Sequence, residues 1–281
     1  MVKLVLAYDG SRYVGWQVQP NGLSVQAEVE RALAALHKRP VRVTAAGRTD
    51  AGVHASGQVV SFPAPEPGAL PLKAYVQGMN ALLPDDIAVQ TATLEADGFD
   101  ARRSARGKRY RYVLENGATR DPLTRARSWQ RYRPLDLAAM RAAAAHLRGC
   151  HDFAAFQASD CGARHAVREI RRLELRGEAG GRIEVVIEAT AFVKHMVRNI
   201  VGTLVEVGEG RREAASLPAL IAGADRTAAG PTAPPQGLFM EEVFYPSSTA
   251  APAAGIPQGH DAGSLSQGSD PAEDGNDCED G

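Results

Sequence analysis

The stretch Ala45-Ala46-Gly47-Arg48-Thr49-Asp50-Ala51-Gly52-Val53-His54-Ala55 brings a carboxylate, a guanidinium and an imidazole together among glycines. Arg48 and Asp50 stand two residues apart. A β-branched run, Val41 to Val43, leads into the stretch, and Val59 to Phe62 leads out. Glycine reaches backbone conformations that other residues resist. The pattern therefore predicts a sharply bent loop between two strands, holding short charged side chains in fixed places. An ionised aspartate on such a loop can act as a nucleophile or a base. It can equally cap a turn, and spacing alone leaves both roles open.

Other chemistry-bearing residues lie further along. Phe99 to Tyr112 is dense in cations: Arg102, Arg103, Arg106, Lys108, Arg109 and Arg111. From Lys108 to Leu114 the alternation is strand-like, with Tyr110, Tyr112 and Leu114 on one face and Arg109, Arg111 and Val113 on the other. An aromatic face backed by cations suits a nucleobase and its phosphates; an ordinary solvated strand with packed tyrosines has the same pattern. A second basic and aromatic patch follows at Arg125, Arg127, Trp129, Arg131, Tyr132 and Arg133. Tyr13 and Trp16 can stack on bases or pack in the core. His146, Cys150, His151, Cys161 and His165 are metal-ligand types, but their spacing forms no compact Cys-x-x-Cys pair. They read better as a loop pinned by Phe153 and Phe156. No glycine-rich phosphate loop with its lysine, no dinucleotide fingerprint and no serine nucleophile elbow is present. What remains is a carboxylate, arginines and a tyrosine, without an evident cofactor.

The run Gly47-Arg48-Thr49-Asp50-Ala51-Gly52-Val53-His54 resembles the active-site motif of the TruA family of tRNA pseudouridine synthases. Further matches follow in that family's order: Tyr8-Asp9-Gly10 with Gly15-Trp16-Gln17, then Lys108-Arg109-Tyr110-Arg111-Tyr112. Ala191 to Gly202 and Thr232-Ala233-Pro234 with Gly237-Leu238 complete the set. The resemblance spans Met1 to Pro246. It implies an isomerase acting on uridine in the anticodon stem-loop of tRNA, at positions 38, 39 and 40, with neither cofactor nor metal. Asp50 would supply the carboxylate and Arg198 would pair with it. Tyr110 would stack on the uracil, and Arg48 would hold the flipped nucleotide or fill its vacated place. The family also implies a homodimer with one tRNA contacting both subunits.

Strands are predicted at 3–8, 41–46, 57–62 and 87–94, with helices after Ser24 and at 72–82. Ser24 is a good N-cap, and Val25, Val29, Ala32, Leu33 and Leu36 recur at helical spacing. This β-α-β-β-α-β order predicts an antiparallel α+β lobe of ferredoxin-like type. The second half again mixes strands (167–176, 182–190, 238–245) with helices (after Pro134, 195–207, 217–222). The family implies two similar lobes whose sheets form a continuous mixed core around a central basic cleft. The expected division is 1–104, 105–246 and a tail, 247–281.

That tail holds seven acids and no lysine or arginine, so 32 basic residues face 26 acidic ones in the remainder, a net of +6. Such a body tolerates a polyanionic partner without demanding one. The tail is poor in large apolar residues and predicts disorder. No apolar run approaches the about 20 residues that span a bilayer. Three scattered cysteines and a start directly on a strand pattern predict a cytoplasmic protein. Two rival functions stand beside the isomerase. A glycosidase would need a second carboxylate near the first, which the Asp50 loop lacks. A non-catalytic RNA-binding protein would gain nothing from an acid facing phosphates.

Overall fold

The computed structural model describes residues 1–64 and 70–246. The acidic tail and residues 65–69, within the Pro-rich segment Pro63 to Pro71, lie outside the described residues. Strand β1 (Val2–Tyr8) alternates strictly, turning Val2, Leu4, Leu6 and Tyr8 inward. Helix α1 (Val25–His37) starts where the Ser24 hydroxyl accepts the Ala27 N–H, and it buries Val25, Val29, Ala32 and Leu33. Two-residue β2 (Thr44–Ala45) and β3 (His54–Phe62) flank the Asp50 loop. Helix α2 (Leu72–Leu82), burying Tyr75 and Met79, leads to β4 (Ile87–Leu94).

In the second half β5 (Gly107–Asn116) is followed by β6 (Trp129–Arg131), α3 (Leu137–Ala145) and β7 (Gly149–Asp152). The hairpin of β8 (Val167–Gly177) and β9 (Arg182–Ala189) leads to α4 (Met196–Gly208) and short α5 (Leu217–Gly223). The chain then returns as β10 (Leu238–Phe244). Helix α4 is buried almost throughout. Its Ile200, Val201 and Leu204 are fully covered, each contributing about 1.5–3 kcal/mol by burial.

These strands form one mixed sheet in the order β4-β1-β3-β10-β5-β9-β8-β7, with β2 on β3 and β6 on β5. The fold is α+β, as expected, with a continuous mixed core. The join is β10. It lies antiparallel to β5 and parallel to β3, with Phe239 opposite His54 and Met240 opposite Ala55. A bulge between Met240 and Glu242 pushes the Glu241 carbonyl against Gly57. Any Cβ at Gly57 would sit 2.0 Å from that oxygen, so only glycine fits there.

Two elements differ from the prediction. The strand expected at 41–46 shrinks to Thr44–Ala45, because the Val43 N–H is taken by the Glu30 carboxylate (3.2 Å) rather than by a neighbouring strand. The strand expected at 57–62 begins at His54 instead, since β10 supplies a partner there from nearly 200 residues away. Helix α3 ends at Ala145; Leu147 is still buried, through the turn that follows.

Candidate active site

The Asp50 loop is pinned from three sides. From β3, the Val59 carbonyl accepts the Ala46 N–H (2.8 Å), and buried Gln58 donates through Nε2 to the Gly47 carbonyl (2.8 Å). From β1, the Tyr8 hydroxyl meets the Thr49 hydroxyl at 2.8 Å. From the N-terminal loop, Trp16 N–H donates to the Thr49 carbonyl (3.0 Å), and Gly15 forms an antiparallel bridge with Asp50. Gly15 has φ +113°, and a Cβ there would press on the Thr49 carbonyl at 2.6 Å. Tyr13 and Trp16 are buried and serve packing: the Tyr13 hydroxyl donates to Asp86 (2.5 Å), and Trp16 packs on Tyr8.

Asp50 is held without being enclosed; its side chain is 29% exposed. Arg198, at the start of α4, reaches it with Nη1 3.2 Å from Oδ2. The same guanidinium donates through Nε to the Ala233 carbonyl (2.7 Å), while the Ala233 N–H returns to the Arg198 carbonyl (3.1 Å). Asn199 anchors this corner, donating to the Phe156 carbonyl and accepting from Thr232 and Arg226. The Tyr112 hydroxyl holds the Pro234 carbonyl at 2.7 Å. The Thr232-Ala233-Pro234 segment is thus a bracket for Arg198.

Tyr110 is 7% exposed and packs edge-on against Phe192, with centroids 4.9 Å apart. Burial, then the neighbouring Tyr8 and Asp50, push its phenol well above the ordinary range, so the hydroxyl stays protonated. No hydrogen bond to it exists among the described residues. Burial likewise raises Tyr8 to about 12, against the pull of its Thr49 and Gln58 bonds. The site therefore presents one carboxylate, one guanidinium and neutral phenols.

Arg48 is exposed and has no ion-pair or hydrogen-bond partner among the described residues. Arg109 and Arg111 turn to the other face of β5. There Arg109 pairs with Glu188 and Glu242, both at 2.7 Å, and Arg111 with Glu241 (2.6 Å) and Glu184 (3.2 Å). These two arginines are cross-strand pairs rather than the cationic backing predicted for a base. The patch from Arg125 to Arg133 is also divided: Arg127 holds Asp9 at 3.0 Å, and Arg131 lies over Trp129 and pairs with Glu209.

His54, the last residue of the motif, is structural. Its Nδ1 accepts the Gly10 N–H, and Nε2 faces the carbonyls of Ala126 and Gln236, all at 3.1 Å. Two carbonyl acceptors require the proton on Nε2. Burial lowers its pKa despite Asp9 nearby, keeping the ring neutral. It stacks on Phe239, centroids 4.8 Å apart, and so latches β10 to the loop. Sequence reasoning assigned no role to His195, whose Nε2 lies 3.5 Å from Asp50 Oδ2; its place directly before Met196 and three residues before Arg198 was the available signal. Phe153 and Phe156 are fully buried, as predicted, and no group of three or more His, Cys, Asp or Glu able to hold a metal ion occurs among the described residues. No helix among them is long and apolar enough to cross a membrane.

A family model described as tRNA pseudouridine synthase matches residues 4–102 and 143–246. A Myxococcus xanthus protein named tRNA pseudouridine synthase A is 59% identical over 244 residues, 87% of this chain and 91% of its own. One of the same name from Geobacter sulfurreducens is 48% identical over 244 residues, 87% and 99% of the two chains. A solved archaeal box H/ACA sRNP Nop10-Cbf5 complex is 12% identical, covering 73% of this chain and 44% of that one, with a TM-score of 0.31. The family model and these relatives define an RNA-modifying isomerase. The chain belongs to the TruA family of tRNA pseudouridine synthases. Family membership sets aside the non-catalytic and glycosidase alternatives.

Proposed function

We propose that this enzyme converts uridine to pseudouridine in the anticodon stem-loop of tRNA, at positions 38, 39 and 40, using the Asp50 carboxylate and no cofactor. The observation that carries this is the pairing of Asp50 Oδ2 with Arg198 at 3.2 Å, beside the protonated Tyr110 phenol. In the reaction the N1–C1′ bond breaks, the uracil turns, C5 bonds to C1′, C5 gives up its proton, and N1 takes up a proton, from C5 or from solvent. Atoms and electrons balance without an oxidant or an energy source. An anion at the sugar serves attack at C1′, addition to the base and removal of the C2′ proton alike. Tyr110 stacks on the uracil and assists the proton transfer at C5, a reading supported by the family resemblance. Arg48, exposed and without a partner among the described residues, holds the extruded nucleotide or fills the gap it leaves.

Residues 1–104 and 105–246 serve as the two lobes, with the site between loop and α4. The enzyme works as a homodimer on tRNA in the cytoplasm, a reading supported by the family resemblance. The test is incubation with unmodified tRNA transcripts and site-resolved pseudouridine mapping. Product at positions 38 to 40 is expected. Product confined to another part of tRNA, or none, overturns the assignment.

A further inference from the structure

Two groups converge on one oxygen of Asp50. Arg198 Nη1 lies 3.2 Å and His195 Nε2 3.5 Å from Oδ2. Oδ1 accepts no hydrogen bond among the described residues.

The backbone of His195 is unusual. Among the described residues, three non-glycine residues have positive φ: Lys38, His195 and Ala224. Lys38 and Ala224 close the C-terminal ends of α1 and α5, where a left-handed residue is common. His195 instead stands at the N-terminus of α4, with φ +65° and ψ 0°, and its side chain caps nothing. An N-cap is ordinarily extended and bonds the first turn. A non-glycine residue held left-handed costs on the order of 1–3 kcal/mol and persists where its surroundings hold it. Here the unusual backbone carries the imidazole to Asp50.

The charges around the ring are Asp50 and Arg198 on the site side, and Lys194 and Asp160, which pair with each other at 2.5 Å. Burial is the largest influence on the ring and lowers its pKa, and Arg198 and Lys194 add to it against Asp50 and Asp160. The ring makes no hydrogen bond to Asp50 among the described residues, but a neutral ring beside a carboxylate can turn an N–H toward it. The separation of 3.5 Å is long for a hydrogen bond, and such contacts often tighten when substrate binds.

We propose that His195 is a positioning residue which, with Arg198, clamps Oδ2 of Asp50 and leaves Oδ1 as the oxygen presented to the ribose. This rests on Asp50 being the catalytic carboxylate. A carboxylate bonded at one oxygen by Arg198 and flanked there by His195 cannot rotate freely, so the direction of its second oxygen is set.

The test compares His195→Gly and His195→Gln with wild type and with Asp50→Asn, on one unmodified tRNA transcript. Glycine adopts φ +65° without strain, so it removes the ring while sparing the helix start. Glutamine restores an N–H donor at a similar reach. For His195→Gly, kcat falls roughly 10- to 100-fold, as expected for a misplaced reactive group, while KM stays within about twofold and the urea midpoint does not drop. For His195→Gln, most of the lost kcat returns. A Gly variant with wild-type kcat overturns the proposal. So does a loss that glutamine fails to restore, which makes the ring's role one of shape. Asp50→Asn separates the two levels: an active Asn enzyme sinks the Asp50 reading itself, whereas an inactive one beside a fully active Gly variant sinks this proposal alone.

Discussion

Gln58, fully buried in the middle of β3, donates through Nε2 to the carbonyl of Gly47 at 2.8 Å. Its Oε1 also accepts the Val59 N–H at 3.1 Å. A polar side chain in the core is costly unless bonded, and this one is satisfied by the loop that carries Asp50. Gln58→Leu leaves the Gly47 carbonyl without its donor. Urea unfolding will show a loss of about 1–3 kcal/mol, and turnover will fall with it because the loop is no longer fixed at Gly47. Unchanged stability and turnover would mean that the loop is held by its other bonds alone.

Asp50→Asn is nearly isosteric, but an amide is neither nucleophile nor base at neutral pH. Turnover collapses to a small residual rate, measurable in a single turnover, while tRNA affinity stays within about tenfold, roughly 1.4 kcal/mol. Asp50→Glu is nearly as inactive, since a shift of about 1 Å can cost on the order of a hundredfold. Arg198 uses two donors at once, Nε on Ala233 and Nη1 on Asp50. A single ammonium cannot reproduce that fork, so Arg198→Lys impairs turnover. Combined with Asp50→Asn it adds little further loss. Single-turnover assays of the four proteins check this, and additive losses would show that Arg198 acts elsewhere.

The Tyr110 hydroxyl makes no hydrogen bond within the described protein, so Tyr110→Phe removes nothing the fold depends on. Its unfolding midpoint stays near wild type and tRNA binding is kept. Tyr110→Ala opens a cavity beside Phe192 and costs about 3–5 kcal/mol. If the hydroxyl moves a proton at C5, turnover falls in the Phe variant although its stability is intact. Wild-type turnover in that variant would restrict Tyr110 to acting through its ring.

Arg102, Arg103 and Arg106 are exposed, Lys108 is half-buried, and none of the four has a carboxylate partner among the described residues. Burial first, then Arg102 and Arg168, lower the Lys108 pKa. Lys108 also packs beside Gly47 of the Asp50 loop. Cations left unpaired next to the site are available to phosphates. Replacing all four with alanine weakens tRNA binding and flattens its salt dependence by about one unit of slope for each phosphate no longer neutralised. Equal affinity at low and moderate salt would move the RNA surface elsewhere.

His37, His54 and His195 all have pKa values lowered, in each case chiefly by burial. The folded chain then binds fewer protons than the unfolded one, whose histidines titrate near about 6.5. Their contribution is complete above that pH and is lost as pH falls through the folded values. Asp9 behaves differently: burial raises it, but the Ser11 hydroxyl and amide and Arg127 outweigh burial and hold it at about 2. Its contribution persists until the pH falls below about 4. The urea midpoint therefore decreases between about pH 7.5 and about pH 5.5, before the carboxylates respond. A flat profile over that range would show that the rings are already charged in the fold.

Much of the molecule was legible in its order of residues. Strand alternation in β1 and β5, the Ser24 cap and the helical stripe of α1 follow from local physics. So do the bounds of α2 and β4, because a local period reports which face must be buried whatever it packs against. The motif around Asp50 and the side of β5 bearing Tyr110 were equally visible. Pairings across long separations were not. The insertion of β10 between β3 and β5, which extends β3 back to His54, depends on residues nearly 200 positions apart. The pairing of Arg109 and Arg111 with glutamates of β9 and β10 depends on register, which no single strand contains. His195 shows the same divide within one motif. Its identity was plain, but only the tertiary fold brings α4 to the Asp50 loop and turns that residue left-handed beside Oδ2.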